Sequence, residues 1–259
     1  MPEIKRHEQG KFCWVELATA DAAGAKKFYS SLFGWTLEEV PFGEGQTYTK
    51  LQKNSKDVAA LYGLMPDQRK AGIRSHWAAY LAVDDADEIV KKAVKAGAKA
   101  MCPVLDVMDV GRMATLQDPS GAFINVWQAK RHTGAGVIDE HATLGWCELL
   151  TNDTAKAEKF YSDVFGWKAE KFKGETTYFE FKLNGKSVAG MMPFPKAATG
   201  AVPHWMTYFM VSSCDDFVGK ARSSAARICL PPTDIPGVGR ISSIEDPQGA
   251  VFAVYERKT

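Results

Sequence analysis

The sequence predicts an α+β fold of two tandem domains, each built from two strand-helix-strand-strand-strand modules. Three observations predict it. Residues 12–35 (FCWVELATADAAGAKKFYSSLFGW) return as residues 144–167 (LGWCELLTNDTAKAEKFYSDVFGW), with 14 of 24 positions identical at an offset of 132. A second block returns at an offset of 128: His76-Trp77 as His204-Trp205, Gly111-Arg112 as Gly239-Arg240, and Asp118-Pro119-x-Gly121-Ala122 as Asp246-Pro247-x-Gly249-Ala250. Within each copy the apolar spacing switches between strand and helix periods twice over. One half-length unit copied once explains all three, and 259 residues can hold two domains with their own cores. The change of offset places insertions and deletions in the loops near 66–75 and 193–203, where length changes are tolerated.

Each element has a local reason. Trp14–Leu17 is a short strand. Asp21 is placed to cap the helix that follows, whose stripe is Ala25, Phe28, Tyr29 and Leu32. Gly34 ends that helix and Trp35 opens the next strand. Residues 45–52 and 57–64 form two strands joined by an Asn54-Ser55 turn. Trp77–Val83 starts the second module. Residues 85–96 form a helix with Ala86, Ile89, Val90, Ala93 and Val94 on one face, stopped by Gly97. Strands near 99–106, 112–117 and 122–128 follow, the last two joined by the Asp118-Pro119-Ser120-Gly121 turn. The second copy repeats this order. The expected boundaries are 1–132 (modules about 10–66 and 75–129) and 141–259 (modules about 143–194 and 203–257), with the polar, glycine-containing segment 130–143 as linker.

Composition narrows the function. A net charge of +1 and the absence of a basic run interleaved with aromatics argue against a nucleic-acid partner. Neither a signal-like apolar stretch near the start nor a membrane-length apolar run is present, so a cytoplasmic protein with no membrane partner is expected. The five cysteines form no CxxC pair and read as reduced thiols. No Ser-His-Asp arrangement, P-loop or dinucleotide fingerprint occurs.

The FYSSLFGW and FYSDVFGW segments with Asp21 and Asp153 ahead of them, and the DPSGAFINVW and DPQGAVFAVY hairpins, resemble the vicinal oxygen chelate superfamily of glyoxalase I, bleomycin resistance proteins and extradiol dioxygenases. The resemblance covers nearly the whole chain and is nearest to two-domain glyoxalase-like proteins often labelled hydroxylases. It implies paired βαβββ modules whose curled mixed sheets form a cup for a small molecule, often around a divalent metal. The family's metal-ligand positions map to Trp14, Ala60, Ala78 and Asn125 in the first copy, and to Trp146, Gly190, Met206 and Ala253 in the second. A divalent site needs about three converging donors. Only Asn125 is even a weak one, so no metal cofactor is expected, although the resemblance alone leaves a divalent ion open.

Strand parity then predicts the cup walls. Trp14 and Glu16 share a face, as do Trp146 and Glu148; so do His76, Ala78 and Tyr80, and His204, Met206 and Tyr208. On the last strands Phe123, Asn125 and Trp127 go together, as do Val251, Ala253 and Tyr255. The ligand-binding candidates are therefore Trp14, Glu16, Tyr80, Asn125, Trp127, Trp146, Glu148, Tyr208 and Tyr255, with Arg112 and Arg240 as recurring basic groups. A carboxylate on a buried face needs a partner, and Glu16–Arg112 and Glu148–Arg240 pairing is favoured over catalysis. Should Glu16 or Glu148 converge with His76 or His204, each pair would offer acid–base chemistry. Cys13 and Cys147 are expected to face away from the cups, and Gly111 and Gly239 to serve tight turns. The expected function is binding of a small organic molecule in aromatic cups without a catalytic metal. The alternative is a lyase, isomerase or dioxygenase-like enzyme using a cup carboxylate or an unmapped metal. A monomer serving as a pseudo-dimer is expected, with a homodimer left open. Whether modules pair within or across domains stays open, because both give similar strands.

Overall fold

The computed structural model describes residues 3–42, 45–172, 177–194 and 200–258. The first copy runs β1 (Phe12–Thr19), α1 (Ala22–Phe33), β2 (Thr36–Phe42), β3 (Gln46–Lys53), β4 (Lys56–Gly63), α2 (Pro66–Lys70), β5 (His76–Ala82), α3 (Ala86–Lys95), β6 (Lys99–Ala100), β7 (Leu105–Val107), β8 (Gly111–Gln117) and β9 (Phe123–Ala129). The second runs β10 (Leu144–Thr151), α4 (Thr154–Phe165), β11 (Lys168–Lys171), β12 (Phe179–Leu183), β13 (Lys186–Pro193), β14 (His204–Met210), α5 (Cys214–Ser223), β15 (Arg227–Ile235), β16 (Gly239–Glu245) and β17 (Val251–Arg257).

The helices begin and end where their sequences dictate. Asp21 and Asp153 accept from the amides of Gly24 and Lys156, satisfying donors the first helical turn leaves free. Gly34 and Gly166 close α1 and α4 at φ 72° and 73°, a left-handed conformation that costs glycine nothing. Two expectations are corrected. The loop 66–75 contains α2, nucleated by Pro66 at its first turn. Val94 is 49% exposed, because α3 buries only the narrower stripe Ala86, Ile89 and Ala93.

Modules pair within each copy. In the first sheet the order is β2-β3-β4-β1-β5-β9-β8-β6, with β7 also on β8; in the second it is β11-β12-β13-β10-β14-β17-β16-β15. The central seams are the antiparallel pairs β1–β5 and β10–β14. One face of each sheet turns inward onto a core shared by both copies. Phe12 meets Trp205, Trp77 meets Phe209 and Tyr29 meets Phe252, with ring centroids 5.0, 5.0 and 5.6 Å apart. The opposite faces, carrying Tyr80 and Tyr208, form the two cups.

Polar bonds clasp the copies together inside that core. Tyr29 donates to Asp246 Oδ2 at 2.8 Å and accepts from Trp77 Nε1 at 3.0 Å. Tyr161 donates to Asp118 Oδ2 at 2.9 Å and accepts from Trp205 Nε1 at 2.8 Å. Each aspartate uses its other oxygen to accept amides of its own turn: Ser120, Gly121 and Ala122 for Asp118, and Gln248 and Ala250 for Asp246. Trp35 and Trp167 add bonds to the carbonyls of Ala142 and Gly10. The blocks that recur most strongly in the sequence are therefore the ones that join the copies.

Candidate functional site

Each cup is built around one carboxylate and a chain of aromatic donors. In the first, Trp14 Nε1 donates to Tyr48 Oη and Tyr48 donates to Glu16 Oε2, both at 3.0 Å, while Tyr80 donates to Glu16 Oε1. In the second, Trp146 Nε1 donates to Tyr178 Oη at 3.0 Å, Tyr178 hydrogen-bonds Glu148, and Tyr208 donates to Glu148 Oε1 at 2.9 Å. Register explains the match: Trp14 stands opposite Tyr80 and Trp146 opposite Tyr208 across the central seams. Burial pushes both carboxyls above their ordinary range, and the tyrosine hydroxyls pull them partly back.

The arginines are elsewhere, which corrects the expected Glu–Arg pairing. Arg112 stands opposite Gln128, one residue out of step with the Met113–Trp127 pair on the cup face. It pairs with Asp87 at 2.6 Å and Asp106 at 3.5 Å. Arg240, opposite Glu256, holds Asp215 through two nitrogens at 2.6 and 3.0 Å and Asp234 at 3.2 Å. His76 and His204 are exposed at strand starts, with Nδ1 against the carbonyls of Arg74 and Val202; neither joins a cup carboxylate. Asn125 lies on the floor of the first cup, tied to Thr115 and to the Ala79 carbonyl. Tyr255 is half-buried on the wall of the second and donates to the Val238 carbonyl.

Two smaller expectations also change. A register shift between Phe12 and Trp14 turns Cys13 into the apolar cluster of the first cup, beside Trp14, Tyr80 and Ala135. Its burial pushes the thiol far above its ordinary value, so it is an inert filler. Cys147 is buried in the shared core, away from the cup, as parity predicts. Gly111 and Gly239 serve close approach rather than turns: a methyl at Gly111 would land on the Trp127 ring, and one at Gly239 on the Glu256 carbonyl.

Sequence reasoning missed three residues. Tyr48 and Tyr178 recur as Thr-Tyr at an offset of 130, between the two offsets that define the repeated blocks. The third, His132, has no counterpart among the described residues. It comes from the segment expected to be a linker, and that segment covers the first cup. The His132 ring stands edge-on to Trp14 at 4.7 Å and to Trp127 at 5.8 Å, and Trp127 Nε1 donates to the His132 carbonyl at 2.9 Å. Ala135 and Gly136 then donate to the carbonyls of Cys13 and Asp57, both at 2.7 Å, at the start of β1 and β4. Among the described residues nothing comparable crosses the second cup. There Trp146 and Tyr255 are half-buried, whereas Trp14 is 4% and Trp127 7% exposed; Tyr48 and Ala78 are half-buried as Tyr178 and Met206 are, and Glu148 at 7% is more buried than Glu16.

The donor chemistry does not fit a divalent ion. The positions that converge on Glu16 are Ala60, Ala78 and Trp14, and those on Glu148 are Gly190, Met206 and Trp146. The carboxylate at the centre of each cup is thus already engaged by tyrosines. Among the described residues no group of three His, Cys, Asp or Glu side chains comes together. A separate cleft of about 650 Å³ opens between α1 and α5, lined by residues such as Ser31, Asp215 and Lys220. It is remote from both carboxylates, and its Asp215 is already held by Arg240. No helix among the described residues is long and apolar enough to cross a membrane.

Comparison with known proteins agrees with this architecture. The chain is 39% identical over 259 residues to the Mycobacterium tuberculosis (strain CDC 1551 / Oshkosh) protein named "Putative glyoxylase CFP32", covering 99% of this chain and 98% of that one. It is 34% identical to the "Anthracycline biosynthesis protein DauV" of Streptomyces sp. (strain C5), covering 98% and 95%. A crystal structure of a Mn(II)-bound glyoxalase from Novosphingobium aromaticivorans superposes with a TM-score of 0.67 over 99% of this chain and 83% of that one; at 16% identity it shows the shared fold. The family profile described as Glyoxalase/Bleomycin resistance protein/Dioxygenase superfamily matches residues 11–126 and 143–254, and the chain belongs to that superfamily.

Proposed function

We propose that the chain binds a small, flat organic molecule in its second cup, against Trp146, Tyr208 and Tyr255, with Glu148 as polar anchor and without a divalent metal. One observation carries this reading. The same Trp–Tyr–Glu–Tyr chain lines both cups, and Trp146 in the second is half-buried where Trp14 in the first lies against the His132 ring. An aromatic wall with one convergent polar group suits a small-molecule site. The relative named for anthracycline biosynthesis makes polycyclic aromatics the first class to test. The clasp within one chain supports a monomer in which two copies do the work of a dimer.

A second reading is favoured by the raised Glu148 carboxyl. A carboxyl lifted toward neutrality can take and return a proton, so the bound molecule could be isomerised or cleaved by acid–base chemistry. The two readings divide on Glu148→Gln: under binding alone the variant weakens affinity, and under catalysis it abolishes turnover while the ligand still binds.

The test is a thermal-shift screen of hydroxylated polycyclic aromatics, with metal analysis of the purified protein. Stabilisation that disappears in Trp146→Ala, with divalent metal well below one equivalent, supports the reading. Stoichiometric metal, or ligands that bind Trp146→Ala as well as the parent, overturns it.

A further inference from the structure

The two cups place their charges differently along one row of the sheet. Residues in register across neighbouring strands share a face. In the first copy that row reads Glu38, Lys50, Ala60, Glu16, Ala78. In the second it reads Glu170, Glu180, Gly190, Glu148, Met206. The carboxylates at two places are kept, and the residue between them changes from lysine to glutamate.

The cation therefore sits at a different place in each cup. Lys50 supplies the first cup with its own cation, bound to Asp57 at 3.2 Å and Glu38 at 3.6 Å. In the second cup the cation stands one step along the same face: Lys182, in register with Lys168, bonds Glu170 at 2.5 Å and reaches Glu180 at 3.9 Å. Glu148 is 7% exposed and, like Glu16, is held by two tyrosine hydroxyls with no lysine or arginine acting on it among the described residues. Between the two glutamates, Gly190 contributes no side chain, and the Tyr178 hydroxyl lies over it. Glu180 is half-buried and accepts from Ser187 at 2.9 Å, so its carboxylate is oriented.

A buried carboxylate without a counter-charge is costly to ionise, and an incoming cation removes that cost. The aromatic faces of Trp146 and Tyr178 add attraction for a cation at close range. We propose that the second cup selects an amine-bearing aromatic molecule, its ring against Trp146 and its ammonium at the wall formed by Glu148, Tyr178 and Glu180. This deepens the reading of the second cup as the binding site and rests on it.

A matched set of probes tests the charge preference on the full chain: 1-naphthylmethylamine, 1-naphthalenemethanol and 1-naphthoate, titrated by calorimetry at neutral pH. The amine should bind about tenfold more tightly than the alcohol, the scale of one charge-assisted hydrogen bond, and the carboxylate most weakly. Glu180→Gln should remove most of the amine's advantage over the alcohol; its half-buried position makes this variant safe for folding. Equal or tighter binding of the alcohol, or an amine advantage that survives both Glu180→Gln and Glu148→Gln, overturns the charge preference and leaves the cup reading standing. Absence of binding by all three probes, or binding undiminished in Trp146→Ala, overturns both together.

Discussion

The Tyr29 hydroxyl in the first copy donates to the Asp246 carboxylate in the second, at 2.8 Å within the core. With its mirror, Tyr161 to Asp118, this bond accounts for motifs that the sequence marks only as a helix stripe, a strand start and a turn. The tyrosine of each FY pair, the tryptophan of each HW pair and the aspartate of each DPxG turn meet at one point. Selection for that clasp explains their recurrence without reference to any ligand.

Removing the hydroxyl should therefore cost stability and not ligand binding. Tyr29→Phe leaves both an Asp246 oxygen and the Trp77 N–H without a partner, a penalty of about 1–3 kcal/mol per stranded buried group. Chemical denaturation followed by tryptophan fluorescence should show the loss as an earlier single transition, because one core serves both copies. Two separated transitions in the parent protein would contradict the shared core.

Gly190 separates the cups sterically. A methyl there would land on the Tyr178 hydroxyl and crowd Trp146 Nε1. The first copy carries Ala60 at this place and still folds, so Gly190→Ala should keep its structure. Displaced into the cup, Tyr178 should lower ligand affinity about tenfold, the cost of roughly one good hydrogen bond to a charged group. Unchanged affinity in a folded Gly190→Ala would mean the ligand does not use this wall.

The raised cup carboxyls predict a pH dependence of known sign. In the unfolded chain they ionise near 4.5, and in the folded chain at higher pH. Across that window the folded state holds more protons, so stability falls as pH rises from about 4.5 through the raised folded values. A Glu16→Gln/Glu148→Gln double variant should lack this decline. Parallel stability–pH curves for parent and variant between pH 4 and 8 would refute it.

His132 predicts the opposite slope for the segment over the first cup. Burial lowers its imidazole below the ordinary 6.5, outweighing the nearby Asp57 carboxylate. Stability is lost as pH falls from 6.5 through the lower folded value, because protonation then favours the open segment. Hydrogen exchange at the Ala135 amide, which donates to the Cys13 carbonyl, should accelerate on acidification beyond what global unfolding explains, and His132→Phe should reduce the effect, leaving the part due to His7 on the Ala135 carbonyl.

Much of the fold was legible because duplication supplies its own comparison. Helix caps at Asp21 and Asp153, αL glycines at 34 and 166 and strand parity at Trp14 and Glu16 are local rules that tertiary contacts did not override. The site was legible only as far as those rules reach. Arg112 lies one residue from the cup-facing position, and a one-residue step reverses the face. Cys13 changed side because a bulge breaks the parity count. His132 was invisible to a repeat comparison because it lies in the segment between the repeated blocks, and Tyr48 and Tyr178 fell between two offsets. Module pairing depended on which strand edges meet, which periodicity does not encode.

The most direct test is a crystal structure of the full protein soaked with 1-naphthylmethylamine. The account predicts one molecule per chain, in the second cup, with its ring against Trp146 and its nitrogen near Glu148, while His132 stays packed on Trp14 in the first. A probe molecule or a divalent ion bound at Glu16 beneath a displaced His132 would contradict it.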